Sequence, residues 1–465
     1  MHKYGTILLL IAFCLAGIAH GSGNNGIPEI TYERYSDRVL IVKTGEQYFD
    51  KIVAIAAKKG IVVIDTGIAP SLAAEYRKII EREFGRKDFA YIINTHYHYD
   101  HSNGNQAFAD AKIIGHERSV EGMKEYANDI KNIIARGRDR VAQWKDQYKT
   151  MEPASEQAKR LLDTITSYDF MCDDVEKNFI STPPTITFND RMKLNLGDIT
   201  LDLVYFGEGR HTGDDILIHC PEEKILFTGD LFYYASIIIS PRLPFDAERW
   251  ISSLNYVLQD PSTVKYVSDM HNKPMTGTFI TLFRDYLVDM QKNLAEAKKQ
   301  NLLFDEVQKQ FAYDKKFTYL EKSEIPIEQL KQQHEVNLRF MWYHLKGVQS
   351  AATQLDNEIT ASGITAALKK FKQMRSAPPD TFYYDERELN LLAYRLLGAN
   401  QISEALEVFK INVELYPQSW NVYDSLAEAY MKNDQNDLAI KNYRKSLELN
   451  PDNTNAVNYL KQLEK

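Results

Sequence analysis

The stretch THYHYDH, Thr95–His101, packs three histidines and one aspartate into seven residues. On an extended loop His96, His98 and Asp100 project to one side and leave His101 to turn elsewhere. Neutral imidazole nitrogen and carboxylate oxygen are the ligands that borderline divalent ions prefer. Four such groups can begin two adjacent sites and complete neither. Alone, the stretch reads more readily as a hydrophilic loop than as a ligand cluster, so the decision passes to its surroundings.

Those surroundings are layered. β-Branched runs at Val39–Val42, Ile52–Ala56 and Ile61–Ile64 predict short strands, and Pro70–Phe84 has helical spacing behind a Pro-Ser start. Tyr91–Ile93 predicts a strand that feeds directly into the histidines, where layered α/β folds place their chemistry. After Ile113 and Ile114, the segments Glu117–Lys149 and Ala154–Ser167 read as long charged helices inserted over one side of the domain. Strands return at Ile186–Phe188, Met192–Leu196, Leu201–Phe206, Ile216–His219 and Ile225–Phe227. A helix at Ala247–Leu258 and a strand at Lys265–Ser268 follow. Two sheets with outer helices account for this order.

Three further strand ends each offer one ligand type. GEGRHTG, Gly207–Gly213, sets His211 among glycines; FTGD places Asp230; VSDMH ends on His271. With these in order behind HxHxDH, the chain resembles the metallo-β-lactamase superfamily over about Ile30–Lys273. The resemblance implies an αβ/βα sandwich with a metal cleft at one sheet edge. It implies that His96, His98 and His211 hold one ion, that Asp100, His101 and His271 hold a second, and that Asp230 bridges them. Asp65, in VIDTG, is then the acid that orients a ligand. Two Zn2+ ions, with other divalent transition metals left open, would ionise a shared water for attack on the carbonyl of an ester, lactone, thioester, amide or β-lactam. Asp100 and Asp230 are the catalytic carboxylates of that scheme. The bridging Asp230 makes the set similar to the glyoxalase II-like and lactonase-like branches. His271 departs from the family, standing in Asp-Met-His-Asn rather than among glycines. Tyr97, Tyr99, Arg210 and Tyr233, beside the ligands, are candidate substrate contacts. His116 reads as a helix start and His219 as strand packing.

Past 279 strand signals fade, and helical patterns run to about 371. Ala405, Phe409 and Pro417 then recur as Ala439, Tyr443 and Pro451, each 34 residues on. Tyr423, Leu426, Ala427 and Tyr430 are answered at the same offset by Leu389, Leu392, Ala393 and Leu396. That period with those residue types is the tetratricopeptide signature. The expected organisation is a catalytic region over 27–278 with a helical insertion at 117–180. A helical extension over 279–371 and an all-α tetratricopeptide-repeat region over 372–465 complete it. The repeats offer a surface for a protein partner or for self-association, while a formal net charge of -8 argues against a nucleic-acid partner.

The first 21 residues read as a secretory signal. His2 and Lys3 precede the apolar run Ile7–Ile18, and small residues follow at Gly17, Ala19 and Gly21. Cleavage there predicts a periplasmic or secreted protein with no stable transmembrane anchor. Cys172 and Cys220 then remain; whether they pair is open, and Cys220 reads as a small core residue. The sequence predicts an exported, zinc-dependent hydrolase of a small molecule. The alternatives are a repeat-based binding or assembly protein with a vestigial metal domain, and a phosphodiesterase or sulfatase on the same fold.

Overall fold

The computed structural model describes residues 28–44, 50–208, 211–232, 236–237, 239, 245–270, 275–323, 325–378, 381–399 and 401–464. The expected signal segment and Arg210, Tyr233 and His271 lie outside these described residues. The chain forms two compact units. One runs to Asn293 and resumes over Asp305–Leu338; the other joins Leu294–Phe304 to Arg339–Lys465.

Among the described residues of the first unit, seven strands form one sheet in chain order: β1 (Ile30–Arg34), β2 (Val39–Thr44), β3 (Asp50–Ala57), β4 (Gly60–Ile64), β5 (Phe89–Ile93), β6 (Lys112–His116) and β7 (Ile186–Phe188). The first four pair antiparallel and the rest in parallel. The second sheet is ordered β13 (Met275–Thr276), β12 (Tyr266–Ser268), β11 (Ile225–Phe227), β10 (Ile216–Cys220), β9 (Thr200–Tyr205) and β8 (Arg191–Asn195).

Side-chain parity explains the layering. In β2, Val39 and Ile41 turn inward with Val53, Ile55, Val62 and Ile64, meeting Leu201, Leu203, Ile216 and Ile218 of the other sheet. Leu40 and Val42 turn outward with Ile52, Ala54, Ile61 and Val63 onto Leu72, Ala73, Tyr76 and Ile80 of helix α1 (Pro70–Phe84). Strands buried on both faces need continuous β-branched runs, which is why the alternation expected of a half-solvated strand is missing here. On the far side, Trp250 of α5 (Ala247–Val257) meets Phe206, and Phe283 of α6 (Gly277–Lys299) meets Phe232. The sequence-predicted helices–sheet–sheet–helices order is the one observed.

Between β6 and β7 the chain leaves as a helical hairpin, α3 (Glu117–Tyr148) and α4 (Glu156–Asn178). α4 continues well past the expected end at Ser167. The hairpin is pinned to α1: Asp174 accepts Ser71 N at 2.7 Å and Ser71 Oγ at 2.6 Å, a carboxylate at a helix N-terminus. A short helix, α2 (Tyr99–Ser102), carries the end of the histidine loop.

Helices α7 (Phe304–Gln310), α8 (Tyr313–Lys316) and α9 (Ile327–Lys346) follow. Within the first unit, two buried residues of α9 stitch the segment after Asp230. Gln333 Oε1 accepts Ile237 N at 2.8 Å, and Asn337 takes Ile239 N and gives to Ile237 O, each at 2.8 Å.

In the second unit, α10 (Ala351–Ser362) and α11 (Ile364–Arg375) share one core with α12 (Glu386–Gly398), α13 (Ile402–Leu415), α14 (Trp420–Lys432), α15 (Asn436–Leu449) and α16 (Thr454–Leu463). The starts of α12, α14 and α16 fall 34 residues apart, as do those of α13 and α15. Ala393, Ala427, Ala405 and Ala439 are fully buried where helices approach, with Phe409 and Tyr443 filling the grooves. Cys172 and Cys220 are both buried and free. Among the described residues no helix is long and apolar enough to cross a membrane.

Candidate metal centre

Every candidate ligand that is described lies just beyond a strand end on one edge of the sandwich. Asp65 follows β4, the His96–His101 loop follows β5, His211 follows β9 and Asp230 follows β11. A hydrogen bond from Ile216 N to Thr95 O at 3.0 Å ties the two sheets at this edge.

His96, His98, His211 and Asp230 converge: one ligand atom from each lies within 4.8 Å of the others. The imidazole centroids of His96 and His98 are 4.9 Å apart, His96 and His211 4.7 Å, and His98 and His211 4.6 Å. His101 joins them, with Nε2 3.3 Å from Asp230 Oδ1 and 3.9 Å from Asp100 Oδ2. The carboxylates of Asp100 and Asp230 thus flank the ring edge of His101. The described residues bring together all of the sequence-predicted ligands except His271, which lies outside them.

A backing layer aims the rings. Asp65 takes Thr95 N at 2.7 Å, Thr95 Oγ1 at 2.8 Å and His101 Nδ1 at 2.8 Å. It does so from a left-handed backbone, φ 56°, a conformation aspartate tolerates when its surroundings hold it. Nδ1 of His101 therefore carries a proton, and Nε2 is the ring nitrogen turned toward the cluster. Asp215 performs the same service for His211, at 3.2 Å from Nδ1, while Thr212 N and Gly213 N bind its other oxygen. Sequence reasoning missed Asp215 and Thr95. The signal for Asp215 is a carboxylate four residues past a histidine inside a glycine-bounded loop.

Gly229 brings Asp230 into place. Its φ is +49°, and a Cβ there would stand 2.6 Å from Thr95 Oγ1. Only a residue without a side chain lets this loop approach the histidine loop so closely.

The electrostatics divide the imidazoles. Burial, reinforced by the neighbouring rings, holds His96 well below the usual histidine range. His98 is lowered by the same causes. Burial pushes His101 down too, but Asp230, Asp65 and Asp100 outweigh it and hold it well above that range. For His211 burial is again opposed, by Asp215 and Asp230, and the balance is upward. His96 and His98, held neutral, are donors a divalent cation accepts, and a cation binding there would have to displace the proton that the carboxylates favour on His101 and His211. One atom tests the fit. Nε2 of His96 is buried with no hydrogen-bond partner among the described residues. Buried polar atoms are mostly satisfied, so this lone pair is free for a cation to take.

Three neighbours have other duties. His116 caps α3, accepting Arg118 N, and its Nε2 meets Asn189 O. His219 meets Thr263 O. Ser102 Oγ is spent on the carbonyls of Tyr97 and His98. Tyr97 and Tyr99 line a cavity beside His98.

Residues 51–268 match the Metallo-beta-lactamase superfamily model, and residues 420–453 match the Tetratricopeptide repeat model. A linear primary-alkylsulfatase from a Pseudomonas species is 23% identical over 241 residues, covering 48% of this chain and 41% of that protein. The alpha subunit of a 2,4-dinitroanisole O-demethylase from a Nocardioides species is 33% identical over 104 residues, 22% of this chain and 31% of the relative. The mitochondrial hydroxyacylglutathione hydrolase of Saccharomyces cerevisiae is 36% identical over 73 residues, 14% of this chain and 22% of the relative. The chain spans less than half the length of each of these relatives. Among solved structures, an inverting sec-alkylsulfatase from a Pseudomonas species is similar at 16% identity and a TM-score of 0.45, covering 90% of this chain and 65% of that one. A metallo-beta-lactamase from Pontibacter korlensis gives 17% identity and a TM-score of 0.38 over 56% of this chain and 98% of that one.

Proposed function

We propose that residues 51–268, a metallo-β-lactamase superfamily domain, make this chain a metal-dependent hydrolase that cleaves an ester-type bond of a small molecule. The observation that carries the reading is the convergence of His96, His98, His211 and Asp230 around a partnerless buried nitrogen. In the proposal these four would hold one zinc ion, and Asp100 and His101, with His271 and Asp230, would hold a second. Bound there, a divalent cation supplies a Lewis acid and lowers the pKa of water toward neutrality. The chain's own residues do the rest. Asp65 and Asp215 lock His101 and His211 in the tautomer that turns Nε2 to the cluster. Asp100, whose side chain is 17% exposed, offers Oδ2 as the acceptor for the proton of an attacking water. The buried positions of His96 and His101 keep bulk water from the far side of the reacting centre.

A carbonyl ester, lactone or thioester is the first reading of the bond, in line with the yeast relative's being a hydroxyacylglutathione hydrolase. A sulfate ester is the second, favoured by the alkylsulfatase relative, whose match covers 48% of this chain. Export through residues 1–21 and partner docking through the repeats belong to the same proposal. Full-length protein prepared without added metal is expected to carry close to two equivalents of metal. It should hydrolyse at least one member of a panel of lactones, thioesters, β-lactams and alkyl sulfates. Near-zero metal together with no turnover after zinc addition would overturn the reading.

A further inference from the structure

We infer that the cavity between the histidine loop and the insertion helices is built to bind an aromatic body bearing an anionic group, with Arg140 as the anion's partner. The inference rests on the hydrolase reading only in calling that ligand the non-reacting part of a substrate; the binding itself stands apart from turnover. The cavity measures about 440 Å³ and has His98 in its wall. That is the size of a small-molecule site.

Its walls are rings. Tyr97 and Tyr99 come from the loop, Tyr126 from α3 and Tyr168 from α4. Tyr99 and Tyr126 lie near parallel, 5.9 Å apart at 19°, and Tyr168 stands edge-on to Tyr99 at 6.3 Å and 80°. The hydroxyls of Tyr99 and Tyr168 are bonded to one another at 2.6 Å, so ring carbon is what these two offer a ligand. Offset and edge-on geometries of this kind select a planar aromatic guest over a flexible chain. The roof is held close on purpose. A Cβ at Gly122 of α3 would stand 2.5 Å from the Tyr97 ring. Ser119 of the same helix donates to Asp214 beside the metal loop at 2.5 Å.

The charges divide unequally. Arg136 is occupied by Asp129 at 2.9 Å, and Glu125, the other acid in the wall, is exposed. Arg140 makes no ion pair among the described residues; its guanidinium lies 5.8 Å from the Trp144 ring, beside the Tyr168 phenol. One hydrogen bond to the Tyr168 hydroxyl leaves the other N–H groups of this guanidinium for a planar anion such as a carboxylate or sulfonate.

The test uses naphthalene-2-sulfonate and the uncharged naphthalene-2-methanol, titrated by calorimetry into full-length protein as purified and after chelation. Quenching of Trp144, 5.1 Å from Tyr168, reports the same site. The sulfonate is expected to bind at least about ten-fold more tightly than the alcohol in both preparations. Arg140→Ala should erase that preference, Arg140→Lys should keep part of it, and Arg136→Ala should leave it intact. Tyr168→Ala should weaken both probes. Equal affinities in the unaltered protein, a preference that survives Arg140→Ala, or one that vanishes on chelation would overturn the inference. Turnover without such binding would sink this inference alone; binding without turnover would sink the hydrolase reading alone.

Discussion

Asp215 shows how a single carboxylate can matter without touching a metal. Burial alone would push it up, yet the hydrogen bonds from His211, Thr212 N and Gly213 N outweigh that and hold it below the usual carboxylate range. It is therefore ionised wherever His211 must ligate. Asp215→Ala is expected to weaken zinc binding about 10–100-fold, the ordinary consequence of losing a histidine's backing acid, with secondary structure unchanged. Competition with a chromogenic chelator measures this, and wild-type affinity would show that His211 needs no support. Gly229→Ala is the steric counterpart: its Cβ must displace Thr95 and with it the anchor of Asp65. Metal content should fall by more than half, and melting should shift down by several degrees, for a strain of about 1–3 kcal/mol. At this scale the sequence marked the candidate ligands and hid their supports. His96 or Asp230 announces itself by residue type and position in a motif. Thr95 and Asp215 are ordinary loop residues whose role exists only once the strand ends meet.

Helix α9 makes a comparable point among elements. Its periodicity is legible, but the burial of its polar Gln333, His334 and Asn337 is not. His334 gives its Nε2 proton to Phe311 O at 2.8 Å and accepts from the Tyr286 hydroxyl at 3.1 Å, so it is held neutral. Burial lowers its pKa to about 4, from the 6.5 of the free side chain. Between those values the unfolded chain binds the proton that the folded one refuses, so stability falls as pH drops through 6.5 and the loss is complete near 4. The contribution is up to about 3 kcal/mol. Melting curves from pH 7 to pH 4 should show a steeper fall for the unaltered protein than for His334→Gln; parallel curves would contradict the assignment. Strand reading succeeded where β-branched runs are buried on both faces, as in β2 to β4. It missed β1, an edge strand whose ITYER mixes charge with half-buried apolar residues, and β13, only two residues long. It stopped α4 short at Ser167, because the aromatic and acidic side chains beyond read as a break when the cavity and α1 that receive them are out of sight.

Across the whole molecule, two compact units predict two separable responses. Removing metal should lower the calorimetric transition of the first unit by the binding free energy it forfeits, about 4 kcal/mol where free zinc had exceeded its dissociation constant a thousand-fold. The repeat unit's transition should stay in place. Ala427→Leu, which overfills a fully buried helix contact, should do the reverse. A single transition moving under both treatments would refute the division. The family match ends at residue 268, yet the side chains that fasten the backbone beyond Asp230 reside on α9. A shortened gene product stopping at 278 would carry every described candidate ligand and still lack the clamp on the segment that follows Asp230. Anyone trimming this chain for crystals or engineering should cut no earlier than Asn337, because the smallest piece able to work is longer than the piece that bears the family's mark.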